Sequence, residues 1–481
     1  MISRRKFLSG LSAMPIAMQP MLAAAQTPLG PLAMPPLLDA TGTGRFHLAA
    51  QRGTTAFVDA GTSETWGFNQ AHLGPTLRIA TGQTTAAEVQ NTLDEPISVH
   101  WHGLMVPGDA DGGPHQTISQ GETWTPELAI TQPTCTAWYH SHVHGSTARQ
   151  VQKGLAGVLQ IVDGQDEARG LPNAYGVDDL TLVLQDRRFD RRGQIDYAPA
   201  MPDQMMGFTG DTMVVNGQVG RTAVVPQGLV RLRLVNGSNA RIYPLSLSDG
   251  REVHLIATDN GYLDHPIALS ELTIAPGERF EVLIDFSDGR DIALVSAPNP
   301  NEMMGGMMGG ASNESAFVVL PFAVDSSLPA TKDQLPDDIG GSRPQDDGTG
   351  ADVRNMTLDM QMGMGMMLRR ADNRFSINSA AFAMDQINFD IPRGTVERWS
   401  ITADMMMHPF HIHGVSFQVL LQGGRAPAPQ NTGWKDTVLV HGSAELLVRF
   451  GQGASRETPF MYHCHILEHE DGGMMGQFTV G

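Results

Sequence analysis

The 481-residue sequence is poor in cysteine, in basic residues and in long apolar runs, and each shortage excludes a class of protein. Its two cysteines cannot form a disulfide framework, so Cys464 needs an explanation in terms of its chemistry. There are 32 Lys and Arg against 51 Asp and Glu, and the net charge of −19 argues against nucleic acid and anionic membranes as partners. Beyond the N-terminal segment, no stretch has the ~18 consecutive apolar residues that a membrane helix needs.

The first 25 residues predict an export signal. The stretch "SRRKFL" carries Arg4 and Arg5, an apolar run follows, and "MLAAAQ" offers small residues for cleavage near Ala25. Paired arginines resemble the signal read by the twin-arginine (Tat) export machinery, although an ordinary secretory signal can also carry two arginines. Either route predicts a periplasmic mature chain. Its net charge would fall from −19 to −22, since residues 1–25 hold three basic and no acidic groups.

One module recurs three times along the chain, which predicts a repeated all-β fold. Gly (53) and Pro (30) are frequent, as in short strands joined by turns. The stretches that begin "GPTLRIATG", "VNGQVGRTA" and "INSAAFAMD" share a turn, a strand, a glycine-marked bend and an alternating strand, the middle of a Greek-key β-sandwich. We expect domains at 40–163, 174–325 and 352–481, with a Pro/Gly/Asp-rich linker at 326–351. The middle copy lacks the histidines of the others and is predicted to be a spacer without metal ligands. A monomer is expected.

The stretch "HCHILEHEDGGMM", residues 463–475, predicts two metal sites that share one tripeptide. On a strand, His463 and His465 point to one face and Cys464 to the other. Cys464, His469 and Met474 supply the thiolate, imidazole and thioether of a blue-copper site, which needs a second imidazole. His408 can provide it, because Pro409 is expected to break its strand and separate it from the histidines that follow.

Four His-x-His pairs predict a cluster of metals between the first and last domains. One isolated pair could be accidental and would need no explanation. Eight imidazoles exceed what one metal ion can bind, and they suit a cluster of three metal ions. Each imidazole would then be oriented by a further hydrogen-bonding partner. The pairs are His100 and His102, His140 and His142, His411 and His413, and His463 and His465.

The motifs "HWHG", "WYHSHVHG", "HPFHIHG" and "HCHILEHEDGGMM", in this order, resemble those of the multicopper oxidases. Exported, methionine-rich copper-efflux oxidases (CueO-type cuprous oxidases) are the most similar branch. The resemblance implies cupredoxin-like domains and four coppers: one type 1, one type 2 and two type 3. It also implies that Asp111 and Glu470 deliver protons during oxygen reduction, whereas a turn aspartate and a strand-end glutamate are the alternatives. It assigns His100 and His411 to the type 2 copper. The remaining histidines of the four pairs are assigned to the type 3 pair: His102, His140, His142, His413, His463 and His465.

The substrate is predicted less directly. Asp404 and Met406 match positions of the family's substrate-copper site, and Met360 and Met364 fall at helical spacing with Met367. Thioethers select Cu(I), but methionines are also adaptable core filler, and Gly363 and Gly365 weaken a helix. The resemblance favours oxidation of Cu(I) with O2 as acceptor, for copper tolerance. A laccase-like oxidase of phenols or aromatic amines is the second hypothesis, and a non-catalytic cupredoxin scaffold or copper-storage protein is the third.

Overall fold

The computed structural model describes residues 30–302, 315–360 and 374–481. The predicted signal, the Met/Gly run at 303–310 and Met364 lie outside these ranges. Strands dominate the described residues and form three successive units, so the predicted all-β class is confirmed. The helices of the described part are all too short or too polar to cross a membrane.

The first unit packs two sheets around a core that includes Phe68 and Trp101. Its strands are β1 (Leu37–Asp39), β2 (Arg45–Val58), β3 (Gly61–Phe68), β4 (Thr76–Ala80), β5 (Thr84–Asn91), β6 (Thr123–Trp124), β7 (Glu127–Ala129), β8 (Cys135–His140) and β9 (Ala156–Val162). One sheet has the order β1-β4-β9-β8 and the other β3-β2-β5-β6, with β7 beside β5. Two helices follow histidine motifs, α1 (Gly108–Asp111) and α2 (Thr147–Lys153).

The middle unit also has two sheets, around a core that includes Tyr243 and Phe280. Its elements are β10 (Asp179–Arg187), α3 (Met201–Met206), β11 (Thr212–Val215), β12 (Ala223–Val225), β13 (Leu229–Asn236), β14 (Tyr243–Leu247), β15 (Val253–Thr258), β16 (Gly261–Leu269), β17 (Leu272–Ile274), β18 (Arg279–Asp285), β19 (Ile292–Ser296) and β20 (Phe317–Val324). The sheets have the orders β11-β10-β13-β18-β15-β16 and β12-β20-β19-β14-β17.

The third unit has eight strands in one continuous hydrogen-bonded ladder around a core that includes Trp399 and Phe478. Its elements are β21 (Asp352–Met360), β22 (Phe375–Ile377), β23 (Phe389–Ile391), β24 (Val396–Ile412), β25 (Ser416–Gln422), a 3-10 turn (Pro429–Asn431), β26 (Thr437–Arg449), β27 (Phe460–Cys464), α4 (Leu467–Asp471) and β28 (Met475–Val480). The ladder is continuous because β24 changes partner along its length, from β21 to β27.

The same pairing recurs in all three units. Counted from β2 in the first unit, which leaves β1 aside, the first strand of each unit forms an antiparallel pair with the next strand and a parallel pair with the fourth: β2 with β3 and β5, β10 with β11 and β13, β21 with β22 and β24. The third strand pairs in parallel with the last strand of its unit, as β4 with β9, β12 with β20 and β23 with β28. Parallel partners require a crossover, which this order provides.

Strand β24 continues through Pro409, so the prediction that this proline breaks the strand is wrong. The Pro409 carbonyl accepts a hydrogen bond from the His465 amide at 2.7 Å, and a proline removes only a donor. The irregularity lies before His408, where the pairing with β26 shifts register and Met405 has φ +75°. Alternation then places His408 and His411 on opposite faces. Strand alternation therefore separates His408 from the following pair.

His72 is buried where the first and middle units meet. Within the described residues, neither ring nitrogen has a hydrogen-bond partner. Glycines adjoin the ring, since a β-carbon at Gly154 or Gly217 would come within 2.5 or 2.7 Å of ring atoms. Burial, reinforced by the charge of Arg187, lowers the pKa of His72 to about 3. The folded chain therefore holds this imidazole neutral.

We expect His72→Leu to make the stability of the chain less sensitive to acid. An unfolded histidine binds a proton near its ordinary pKa of 6.5, whereas folded His72 resists protonation down to about 3. The stability conferred by neutral His72 is therefore complete above pH 6.5 and is lost as the pH falls, at about 1.4 kcal/mol per pH unit. Urea unfolding at about pH 5.5 and about pH 4.5 measures the difference. His47→Leu, at an exposed position of β2, controls for loss of a histidine; equal slopes in wild type and His72→Leu would contradict the prediction.

Candidate metal centres

The four histidine pairs lie at strand ends, which brings the first and third units together. His140 is the last residue of β8, and His100 pairs with it through an isolated bridge. His411 and His463 are direct partners near the ends of β24 and β27. The prediction that whole pairs lie on strands is wrong in detail, because the second member of each pair follows the strand or bridge. All eight imidazoles converge in the interior and are at most 1% exposed.

The ring nitrogens form three groups of the size a metal ion needs. One contains His102, His140 and His465, and another contains His142, His413 and His463, with ligand atoms within 4.8 Å of one another. The third brings His100 and His411 together, their Nε2 atoms 3.4 Å apart. The first two groups divide the six histidines predicted for the type 3 pair into two sets of three, and the third holds the two predicted for the type 2 copper, with His413 close enough to join it.

The protonation state of these rings fits a bound metal. Burial, as the largest cause, lowers the pKa of six of the eight imidazoles well below 6.5 and also lowers that of His411. Neutral rings then face one another: His463 Nε2 is 3.3 Å from His142 Nε2 and 3.2 Å from His413 Nε2. Nε2 of His140 and both ring nitrogens of His465 have no hydrogen-bond partner within the described ranges. Buried lone pairs without a donor are costly unless a cation binds them, so the donor set fits copper.

A second site lies on the opposite face of β27. His408 Nδ1 is 3.4 Å from Cys464 Sγ, and His469 Nδ1 is 3.7 Å from the same sulfur. Met474 is buried in the same apolar cluster. Burial raises the pKa of the Cys464 thiol, so a thiolate here needs a metal to stabilise it. Two imidazoles and a thiol around one point, with a thioether in the surrounding core, fit the predicted blue-copper ligands.

The two predicted acids contact the cluster rings from behind. Asp111 Oδ2 accepts a hydrogen bond from His413 Nδ1 at 2.8 Å and lies 3.4 Å from His100 Nδ1. Glu470 contacts His142 and His463 at 3.4 and 3.2 Å. Burial raises the pKa of Glu470 well above its usual range, which favours the protonated acid. Asp111 is therefore placed to orient rings, and Glu470 to hold a proton beside them.

Asp436 is a site residue that the sequence reasoning missed. Its Oδ1 lies 3.2 Å from His102 Nε2, and its backbone carbonyl accepts a hydrogen bond from His411 Nδ1 at 2.8 Å. These bonds place the protons on those atoms, which leaves His102 Nδ1 and His411 Nε2 directed at the metal groups. The only hint in the sequence is the charged pair Lys435–Asp436 just before the apolar run of β26.

Charged residues of the middle unit hold Asp436 in place. Both Arg279 terminal nitrogens donate to its carboxylate at 2.6 Å, and this pairing lowers the pKa of Asp436 against the effect of burial. The neighbouring Lys435 is fully buried and pairs with Asp259 and Glu278 at 3.1 Å each. No His, Cys, Asp or Glu of the middle unit's described part belongs to the metal-binding groups, but its charges orient two of the histidines.

Of the predicted substrate residues, Met406 lies in the core of the third unit and Met360 packs against that core. Met406 is 2% exposed and belongs to the core of the third unit, whereas Met405 beside it is 41% exposed. Met360 is the last residue of strand β21, and the rest of the methionine row, to Met367, lies outside the described residues. Met364 and the side chain of Asp404 lie outside the described residues. Just before His408, Asn301 exchanges two hydrogen bonds of 2.9 Å with the backbone of Met407.

Comparison with known proteins identifies relatives along the whole chain. Family models described as multicopper oxidase match residues 49–166, 134–302 and 354–481. The cell division protein FtsP of Xenorhabdus nematophila is 37% identical, over 100% of this chain and 98% of that protein. The structure of the laccase-like multicopper oxidase CueO of Ochrobactrum sp., which oxidises lignin model compounds, is 41% identical with a TM-score of 0.86, covering 94% of this chain and 100% of that one. The McoA multicopper oxidase of Aquifex aeolicus is 30% identical with a TM-score of 0.81, covering 95% and 100%.

We expect Asp436→Asn to weaken both the fold and copper binding at the cluster. The amide leaves the buried Arg279 without its bidentate partner, which should cost about 3–5 kcal/mol of unfolding free energy. Loss of the carboxylate behind His102 should lower copper affinity by about 10–100-fold. Chemical unfolding and copper analysis after dialysis measure the two effects. In the control, Asp346→Asn breaks the exposed pair with Arg449 and should cost under about 1 kcal/mol. Equal behaviour of the two variants would show that Asp436 has no special role.

Proposed function

The chain belongs to the multicopper oxidase family, and on this basis we propose that it is an exported cuprous oxidase of the periplasm. It would couple one-electron oxidation of Cu(I) to four-electron reduction of O2 to water, in the service of copper tolerance. The observation that supports the proposal is that the histidine groups and the His408, Cys464 and His469 group are buried, with Cys464 directly between His463 and His465 in the chain.

On this proposal, the chain would hold four coppers. His408, Cys464, His469 and Met474 would hold type 1, and His100 with His411 type 2. The type 3 pair would be held by His102, His140 and His465 on one side and by His142, His413 and His463 on the other. Bound there, copper would supply one-electron chemistry at the thiolate site and multi-electron reduction of O2 at the cluster.

The chain itself supplies protons and an electron path. Reduction of O2 to water consumes as many protons as electrons, and Glu470 is a buried acid that favours its protonated state next to two cluster histidines. Asp111 accepts a hydrogen bond from His413 Nδ1, which fixes the proton on that nitrogen and leaves the Nε2 lone pair available to a metal. The peptide backbone on either side of Cys464 links the two sites covalently, so the electron donor and O2 need never meet.

The choice of donor rests on the surroundings of the thiolate site. Methionine precedes His408 at positions 405–407, and soft thioethers prefer Cu(I) to harder ions. A laccase-like activity on phenols or aromatic amines would use the same metals, and the Ochrobactrum relative with activity towards lignin compounds supports that second candidate.

A role without catalysis is the third candidate, supported by the whole-length match to proteins named for cell division. A scaffold would not need neutral imidazoles buried face to face, because unpaired buried nitrogens destabilise a fold that binds no metal. The retained ligand groups therefore favour copper chemistry, and a division role is compatible with it.

Copper content and colour test the proposal. We expect about four coppers per chain, because one thiolate–imidazole site would hold one copper and the histidine cluster three. We also expect an intense blue absorption band. Cys464→Ser should abolish the band and Cu(I)-driven O2 uptake while leaving most cluster copper bound, since serine is a poor ligand for soft metals. Cys135→Ser, which changes the other buried thiol, is the matched control and should stay blue. A wild-type chain that neither binds copper nor consumes O2 would favour the scaffold.

Two substitutions separate cuprous oxidase from laccase. If Asp404 and Met406 hold incoming Cu(I) beside His408, Asp404→Ala and Met406→Leu should slow Cu(I) oxidation by about tenfold or more, the loss of a specific binding contact, and leave a small phenol unaffected. Met356→Leu removes a thioether from the same core and controls for packing. Steady-state rates with both donors decide between the hypotheses. A parallel fall with both donors would assign these residues to the fold.

A further inference from the structure

Helix α3 of the middle unit covers the second imidazole of the thiolate site. His469 Nε2 donates a hydrogen bond of 3.0 Å to the carbonyl of Met205 in α3. The other side of the ring stacks on Phe375, with centroids 4.4 Å apart, and His469 is 0% exposed. His408 is likewise 0% exposed, and its buried Nε2 atom has no hydrogen-bond partner among the described residues.

From this cover we infer that α3 closes the His469 edge of the thiolate site to bulky electron donors. The inference rests on the proposed function, because it says where a donor is kept from delivering its electron. A planar phenol must approach an imidazole edge closely to transfer an electron, and the Met205 carbonyl occupies that position at His469. Met205 and α3 are therefore specificity-determining elements contributed by the unit that carries no ligand.

Buried hydrogen bonds hold α3 and α4 together. The buried Glu468 carboxylate accepts hydrogen bonds from Tyr197 Oη at 3.0 Å, the Phe208 amide at 2.9 Å and Asn239 Nδ2 at 2.7 Å. All three donors belong to the middle unit, and two of them flank α3. Because Glu468 directly precedes His469, these bonds hold α3 and the histidine in register. Separating them would leave a buried carboxylate without partners, which is costly.

Helix α3 is also tied at its other end. Asp203 accepts hydrogen bonds from the Ala200 amide at 2.9 Å and from Arg188 at 2.6 Å, which closes the first turn. Gln204 accepts a hydrogen bond of 2.8 Å from Arg374, in the third unit. Helix α3 is thus hydrogen-bonded to the third unit, which it covers, as well as to the middle unit, to which it belongs.

A glycine at the end of α3 permits the close approach. Gly207 has φ +85°, and a β-carbon there would lie 2.3 Å from Ala240 Cβ and 2.7 Å from Ile466 Cγ2. Ile466 precedes α4, so an added methyl group acts as a wedge between α3 and the ligand-bearing segment. Gly250, in the same unit, has a similar φ of +78° with nothing within 4 Å of its β-carbon. Gly250→Ala therefore controls for backbone strain without a wedge.

The experiment compares Gly207→Ala with Gly250→Ala in the copper-loaded full-length protein. Hydrogen exchange of peptides covering 201–208 and 466–471 reports whether the cover opens, independently of activity. We expect faster exchange in both peptides for Gly207→Ala only. The ratio of the rate with a bulky phenol to the rate with Cu(I) should then rise by at least about tenfold, the scale on which steric fit discriminates donors.

A second variant keeps the inference testable if Gly207→Ala does not fold. Asp203→Ala combined with Gln204→Ala releases both ties of α3 and leaves Gly207 and the ligands unchanged, so it should shift exchange and donor ratio in the same direction. Opening without a change in the donor ratio would overturn the inference, as would unchanged exchange in both variants. Failure of the proposed function would look different, because the wild type itself would then fail to oxidise Cu(I).

Discussion

The alternation of side chains at the end of β27 is the constraint on which the rest of the structure depends. Consecutive residues of a strand face opposite ways, so Cys464 and its two histidine neighbours must serve different sites. The third unit therefore needs a core-facing pocket around the sulfur on one side. On the other side it needs a partner that completes the histidine cluster, and the first unit provides it.

The same alternation operates at each of the other contributing segments. In β24, His408 faces the sulfur while His411 faces the cluster, and the two strands are direct neighbours. In the first unit, the bridge between His100 and His140 brings two pairs together at one point. Strand ends suit this purpose because the residue after the strand is free to turn back toward its neighbour. Eight buried imidazoles thus come from four short motifs.

Burying so many polar rings requires compensation, and the middle unit supplies much of it. Arg279 holds Asp436 against two histidines, and Lys435 is held by two carboxylates of that unit. Helix α3 contacts the ring of His469 directly. The unit predicted to be a spacer therefore orients ligands at both sites. The middle unit lacks the His-x-His pairs of the other two units, but its residues still position histidines that belong to them.

The sequence by itself determined the all-β class, the repeated units and which histidines the structure brings together with one another or with Cys464. These follow from local spacing, because strand alternation and ligand chemistry can be read within a few residues. Only the tertiary structure decided the roles of Asp436, Arg279 and Met205, and the continuation of β24 through Pro409. Those depend on contacts between residues more than 150 positions apart or on a partner strand. No local pattern encodes a carbonyl or a charge supplied by another domain, since such a contact exists only once the domains are packed.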